Sequence, residues 1–215
     1  MAGLALNDRR FAIAAVRWLL GVQSFISGIN WWVKLLPFPN IAEPVAGPVK
    51  HEILRTMVES GWMFTATKGI EILLGLALIL NRHVLLMLVL SFPVMLMTFL
   101  LDFFPFAGKL GGFVTGSVAP GAMWASTLDM LYFGAGVFVM QAYLMSEYFD
   151  RYRPMFAVRP DGDAPAWAGF FEAGWLKLAL RWLSYTVGAT STLWIVGMAI
   201  GLIPWSSLAV LAPPR

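Results

Sequence analysis

The stretch Gly61–Asn81, GWMFTATKGIEILLGLALILN, decides how the whole chain is read. About 20 mostly apolar residues are long enough to cross a hydrocarbon core at about 1.5 Å rise per residue, so this stretch reads as a membrane-spanning helix. Lys68 and Glu71 stand three residues apart inside it. Ions at membrane depth are costly and usually face a bundle interior or a cavity. Lys68, Glu71, Gly75 and Leu78 recur at spacings of three, four and three and therefore share one helix face. That face has two readings. It is a structural ion pair on a packing surface, since polar groups also join helices, or it is a site for a small lipophilic or protonatable ligand.

Composition supports the membrane reading. Of 215 residues, 59% are hydrophobic and 13% charged, whereas soluble domains carry about 25% charged residues. The net charge of +3 comes from dispersed Lys and Arg, with none of the clustering that nucleic acid requires. With no cysteine, disulfides, thiolate metal sites and a Cys nucleophile are excluded. MAGLALNDRR does not read as a removable signal peptide, because no small-residue cleavage site follows a short apolar core.

Working outward, the first span is expected over about Phe11–Trp32, with Arg17, Gly21, Ser24 and Gly28 forming a polar and small stripe. Pro37, Pro39, Pro44 and Pro48 break any helix through Gly47. Val49–Ser60 is amphipathic and reads as a short interfacial helix. The second span is Gly61–Asn81. Asn81-Arg82-His83 is so short a turn that the third span, about His83–Leu101, must run antiparallel beside it. Pro93 lies within that span, and Ser91 could partly re-satisfy the backbone it frees.

Residues Phe103–Ser126 hold Gly108, Gly111, Gly112, Gly116, Pro120 and Gly121 and read as a loop. A fourth span covers about Thr127–Phe149, with Asp129, Tyr132, Gly136 and Tyr143 on one face. Residues 150–176 read as a polar cytoplasmic loop. Residues 177–215 read as an additional membrane helix, about Leu178–Trp205, plus a short tail. In that helix Gly197 and Gly201 have GxxxG spacing, a helix-packing signal. Gly21, Gly28, Gly75 and Gly136 are the other expected packing glycines. Lys/Arg asymmetry, eight against five, places the N-terminus in the cytoplasm and the C-terminus in the periplasm.

The architecture expected is therefore all-α and polytopic: a four-helix transmembrane bundle, a fifth C-terminal transmembrane helix and a short interfacial amphipathic helix. Its chemistry is sparse. His51 and His83 fall at opposite membrane faces and cannot jointly bind one haem. No metal motif, phosphate-binding loop, dinucleotide fingerprint or G-x-S-x-G elbow is present, so a metal, a nucleotide and self-contained hydrolase chemistry have no support. The intramembrane polar cluster Arg17, Lys68, Glu71, Asp102 and Asp129 remains. On the N-in reading Arg17 could reach Glu71 from below, and Lys68 could reach Asp102 or Asp129 from above; the plainer readings are snorkelling of Arg17 to the near interface and solvation of Asp102 and Asp129 at the far one.

Three segments together resemble the DoxX family of small bacterial membrane proteins. They are RWLLGVQSFISGINWWVKLLPFP, SGWMFTATKGIEILLGLALILNRHVLLMLVLSFPVML and LDFF. Arg17, Gly28, Lys68, Glu71, Gly75 and Pro93 match the family's pattern, and the resemblance covers about residues 9–149. It implies a four-helix bundle in the bacterial inner membrane. Some members of the family are subunits of a thiosulfate:quinone oxidoreductase. The fifth helix departs from the family and reads as a docking element that sits apart from the bundle. Two functions are carried forward. One is a non-catalytic membrane subunit in a larger redox or energy-converting complex, in contact with lipid and other membrane subunits. The other is a quinone-linked oxidoreductase component, with quinone as cofactor, in which Arg17, Lys68 and Glu71 bind the head group or relay its protons.

Overall fold

Asp8 starts the first helix. Its carboxylate accepts a hydrogen bond from the Arg10 amide at 2.8 Å, satisfying one of the free donors at the helix N-terminus. The helix, α1, runs Arg9–Val33 and ends at Lys34, which takes a left-handed conformation with φ 50°. The computed structural model describes residues 8–34, 48–156 and 166–202, and every element among them is helical. The prolines at 37, 39 and 44, and the end of the last expected span near Trp205, lie outside the described residues.

Amphipathic α2 covers Pro48–Glu59 and packs on α3, Met63–Leu80. The tight turn after α3 forms because Asn81 and His83 both accept positive φ, 55° and 54°, a conformation to which Asn and His are better suited than most side chains. It sends α4 back along α3. Helix α4 spans Val84–Val114, 31 residues, a length of about 46 Å. The loop expected from Phe103 is therefore helix as far as Val114, with Pro93 and Pro105 both inside it. In an apolar setting the backbone must satisfy its own hydrogen bonds, which outweighs the intrinsic reluctance of Pro and Gly. The real stop is Gly116, with φ 77°; the Ser117 amide donates to Gly112 O at 2.8 Å and the Gly116 amide to Phe113 O at 3.1 Å.

The chain returns through α5 (Pro120–Asp129), a π-helical segment (Met130–Ala135) and α6 (Gly136–Glu147). The described parts of residues 150–176, expected as loop, carry helical turns: α7 (Phe149–Tyr152) and the 3-10 turns Arg153–Phe156 and Ala166–Glu172. Phe149 stacks on Phe171 at 5.1 Å, holding two of these turns together. Helix α8, Gly174–Ala199, then runs back along α6 and α1.

Among the described residues three helices, α1, α3 and α4, are long and apolar enough to cross a membrane. Val16, Leu20, Leu74, Leu78, Leu88 and Met140 are fully buried where the helices meet. Leu73, Leu80, Leu86, Leu90 and Leu193 point outward and are exposed. A surface as apolar as its core is that of a bundle solvated by lipid. Helix α8 belongs to this bundle. The expectation that it sits apart is corrected by Val187, buried against Gly136, and by Gly188, set between Met140 and Leu19.

Candidate functional site

The closest helix pair is α1 with α3. A Cβ on Gly75 would lie 2.6 Å from the Phe25 amide nitrogen, and one on Gly28 would lie 2.9 Å from Lys68 O. A Cβ on Gly21 would lie 3.0 Å from Leu78 Cβ. The missing side chains let the two backbones meet. Gly136 does the same for α6 and α8, its Cβ position lying 2.6 Å from Val187 Cγ1. Gly197 is buried, but Gly201 lies beyond the end of α8 with φ 76°, and among the described residues nothing lies within 4 Å of where its Cβ would be. Gly201 is a helix terminator, with the Leu202 amide donating to Gly197 O at 2.8 Å. The GxxxG pair is thus not a packing groove, because only its first glycine is on the helix.

Beside the α1–α3 seam, Lys68 Nζ donates to Ser27 Oγ at 3.0 Å and to Glu71 Oε1 and Oε2 at 3.0 and 2.8 Å. It also lies 5.4 Å from the centre of the Phe64 ring, which meets Trp31 edge-on at 4.7 Å. All three ammonium protons have acceptors. The helix register excludes the Arg17–Glu71 contact. Gly21 faces Gly75 and Leu78, and Gly28 faces Lys68 and Ile72, so Glu71 lies level with Phe25 or beyond. Arg17 is then at least eight residues, about 12 Å, away along α1. The Arg17 Nε is buried without a hydrogen-bond partner among the described residues.

Lys68 does not reach Asp102 either. Asp102 is buried, 3% exposed, and pairs with Lys50 from α2. Gly134, in the π-helical segment, leaves the room: a Cβ there would lie 2.5 Å from Asp102 Oδ2. Such π turns re-aim side chains and recur at functional sites. Asp129 ends α5, and its side chain lies outside the described residues.

A second charged network, outside the expected intramembrane cluster, lies at the opposite end. Glu147 falls near the end of the expected fourth span, where the polar stretch begins, and it is not among the expected site residues, yet its side chain is 1% exposed. Its carboxylate accepts from Arg9 Nε at 2.6 Å and from the Arg181 guanidinium at 3.4 Å. Arg181 Nε also donates to the Tyr143 hydroxyl at 3.2 Å. One carboxylate thereby ties α1, α6 and α8. The available signal was the spacing of Tyr143 and Glu147, one helical turn apart. Nearby, buried Tyr152 donates to Leu85 O at 3.1 Å, and burial pushes its phenol up to about 12.

Two neutral contacts complete the interior. Gln141 Nε2 donates to Leu88 O at 2.6 Å and Ser91 Oγ at 3.1 Å. The Ser91 hydroxyl turns to Leu88 O at 3.5 Å, not to the Val89 carbonyl that Pro93 frees. Gln23 Nε2, with two N–H donors, lies within hydrogen-bonding distance of three acceptors, Gly188 O, Ser191 Oγ and Thr192 Oγ1, at 3.1, 2.7 and 2.9 Å. Thus the hydroxyl-rich turns of α8 bond within the bundle. Among the described residues no three His, Asp or Glu side chains gather as a metal would require. No family model, curated protein or solved structure matches the chain.

Proposed function

We infer that this chain is a non-catalytic integral membrane subunit of a larger bacterial inner-membrane complex, redox or energy-converting in kind. The observation that carries the reading is the saturation of Lys68: its ammonium is fully spent on Ser27 and both oxygens of Glu71. A pair closed on itself in this way acts as helix glue. The Arg9–Glu147–Arg181 network supports the same role by joining three helices. The DoxX resemblance over about residues 9–149, the cytoplasmic N-terminus and the periplasmic C-terminus belong to this proposal, with α8 added as a bundle helix. The surface offered to a partner is the apolar end of α4, where Phe104 and Val114 are 66% and 79% exposed.

Mild-detergent purification of the tagged full chain from its native membrane tests this. A stoichiometric set of membrane proteins in one band is expected, and its loss on Phe104→Lys with Val114→Lys locates the contact. A chain that runs alone under conditions preserving other respiratory complexes would refute the reading.

A second reading has its own support in Phe64, whose ring lies 5.4 Å from the Lys68 ammonium and meets Trp31 edge-on, with Ser27 also bonded to Lys68. An aromatic wall next to an ammonium and a hydroxyl suits a quinone head group. In that case Glu71→Gln leaves assembly intact and abolishes quinone-dependent turnover, whereas a structural pair loses assembly first.

A further inference from the structure

Asp102 differs from the other buried ions in where its partner comes from. Lys68 pairs within its own helix and Glu147 with helices of the bundle, but Asp102 pairs with Lys50 on amphipathic α2, which packs on α3. Lys50 reaches a carboxylate whose side chain has no exposed surface. A lysine side chain is a four-carbon stem ending in an ammonium. At Asp102 it has the form of a tethered alkylammonium ligand.

The surroundings suit such a ligand. Phe99 lies three residues before Asp102 on α4 and Phe138 four residues after Gly134 on α6, so both fall one turn inward of the carboxylate. Their rings stack at 4.8 Å, and Phe103 stacks on Phe99 at 5.4 Å. Aromatic faces attract cations and accept apolar bodies. Gly134 keeps the carboxylate accommodated, since a Cβ at that position would strike it.

We propose that Asp102, with Phe99, Phe103 and Phe138, is a binding site for a lipophilic ammonium cation, and that Lys50 occupies it as an internal, displaceable ligand. This goes beyond the subunit reading and does not depend on it. The ion pair supplies the charge recognition, the rings take the hydrocarbon, and α2 is the element that must yield for the ligand to enter. A site left open in a tenth of molecules binds about tenfold more weakly than a site always open.

The test uses the full chain in phosphatidylcholine nanodiscs, titrated calorimetrically with n-hexylammonium and, in parallel, with neutral n-hexanol. Lys50→Met is expected to bind one hexylammonium per chain, saturably and about tenfold more tightly than the wild type. Lys50→Met with Asp102→Asn is expected to bind none, and hexanol none in any variant. Equal affinity in wild type and Lys50→Met overturns the proposal, as does undiminished binding in the double variant or equal binding of hexanol. Should Lys50→Met not accumulate, it is extracted with hexylammonium present. Recovery of folded protein by the amine and not by hexanol supports the site, and failure of the amine to restore it overturns the proposal.

Discussion

Glu147 is the residue on which most of one bundle end depends. Its carboxylate is buried, and of its two cationic partners Arg181 is the enclosed one, 12% exposed against 58% for Arg9. Removing one member of a buried pair strands the other and costs about 3–5 kcal/mol. Glu147→Ala should therefore lower stability by about 3 kcal/mol, read as a drop in thermal midpoint in detergent. Glu147→Leu with Arg181→Met should recover most of it, because an apolar replacement strands no charge. If the two variants melt together, Arg181 is not held by Glu147. Tyr152 gives a pH signature at the same end. Its folded-state pKa, about 12, lies above the ordinary phenol value of about 10, so its contribution is intact below pH 10 and is lost as the pH rises through 12. Tyr152→Phe should flatten that part of the alkaline stability profile, followed by near-ultraviolet circular dichroism.

Between elements, the α1–α3 seam and the docking of α8 make separate predictions. At Gly75 a new methyl group would press on the backbone of α1, which cannot swing away as a side chain end does. Gly75→Ala should cost about 1–3 kcal/mol. Gly69, on the same helix with nothing within 4 Å of its Cβ position, should gain up to about 1 kcal/mol as alanine from helix propensity. Thermal unfolding of the two variants should move in opposite directions, and a shared direction would mean that the seam is loose. Helix α8 supplies Arg181 to Glu147 and three acceptors to Gln23. A chain ending at Arg153 should then fail to give a monodisperse species on size exclusion, with loss of fold and not merely of a partner. A well-behaved truncated bundle would restore α8 to the role of a detachable helix.

For the whole molecule, the bundle has two charged ends of different make. One gathers Arg9, Glu147 and Arg181, and the other joins α2 to Asp102 through Lys50. Because the chain has no cysteine, single cysteines report topology cleanly. Asp8→Cys and Asn81→Cys should label from the cytoplasmic face with an impermeant maleimide, and Lys109→Cys from the opposite face. Labelling of all three from one side would show that α4 does not cross.

Hydropathy and spacing alone determined that the chain is helical and apolar, because a run such as Gly61–Asn81 has no stable state in water with its leucines exposed. They also placed Gly21, Gly28 and Gly75 on shared faces, since helical periodicity is a local property. The extent of α4 was not legible. Whether Pro105 and the glycines after it break a helix depends on the solvent around the backbone, which the residue types do not state. Pairing was not legible either. Lys68 with Glu71 is a local, three-residue relation, but Lys50 with Asp102 and Arg9 with Glu147 join residues 52 and 138 positions apart. Only the register of α1 against α3 excludes Arg17 from Glu71, and only the antiparallel packing of α6 and α8 brings Arg181 to Glu147. A buried charge takes the nearest opposite charge that the fold delivers, and that distance exists only in three dimensions.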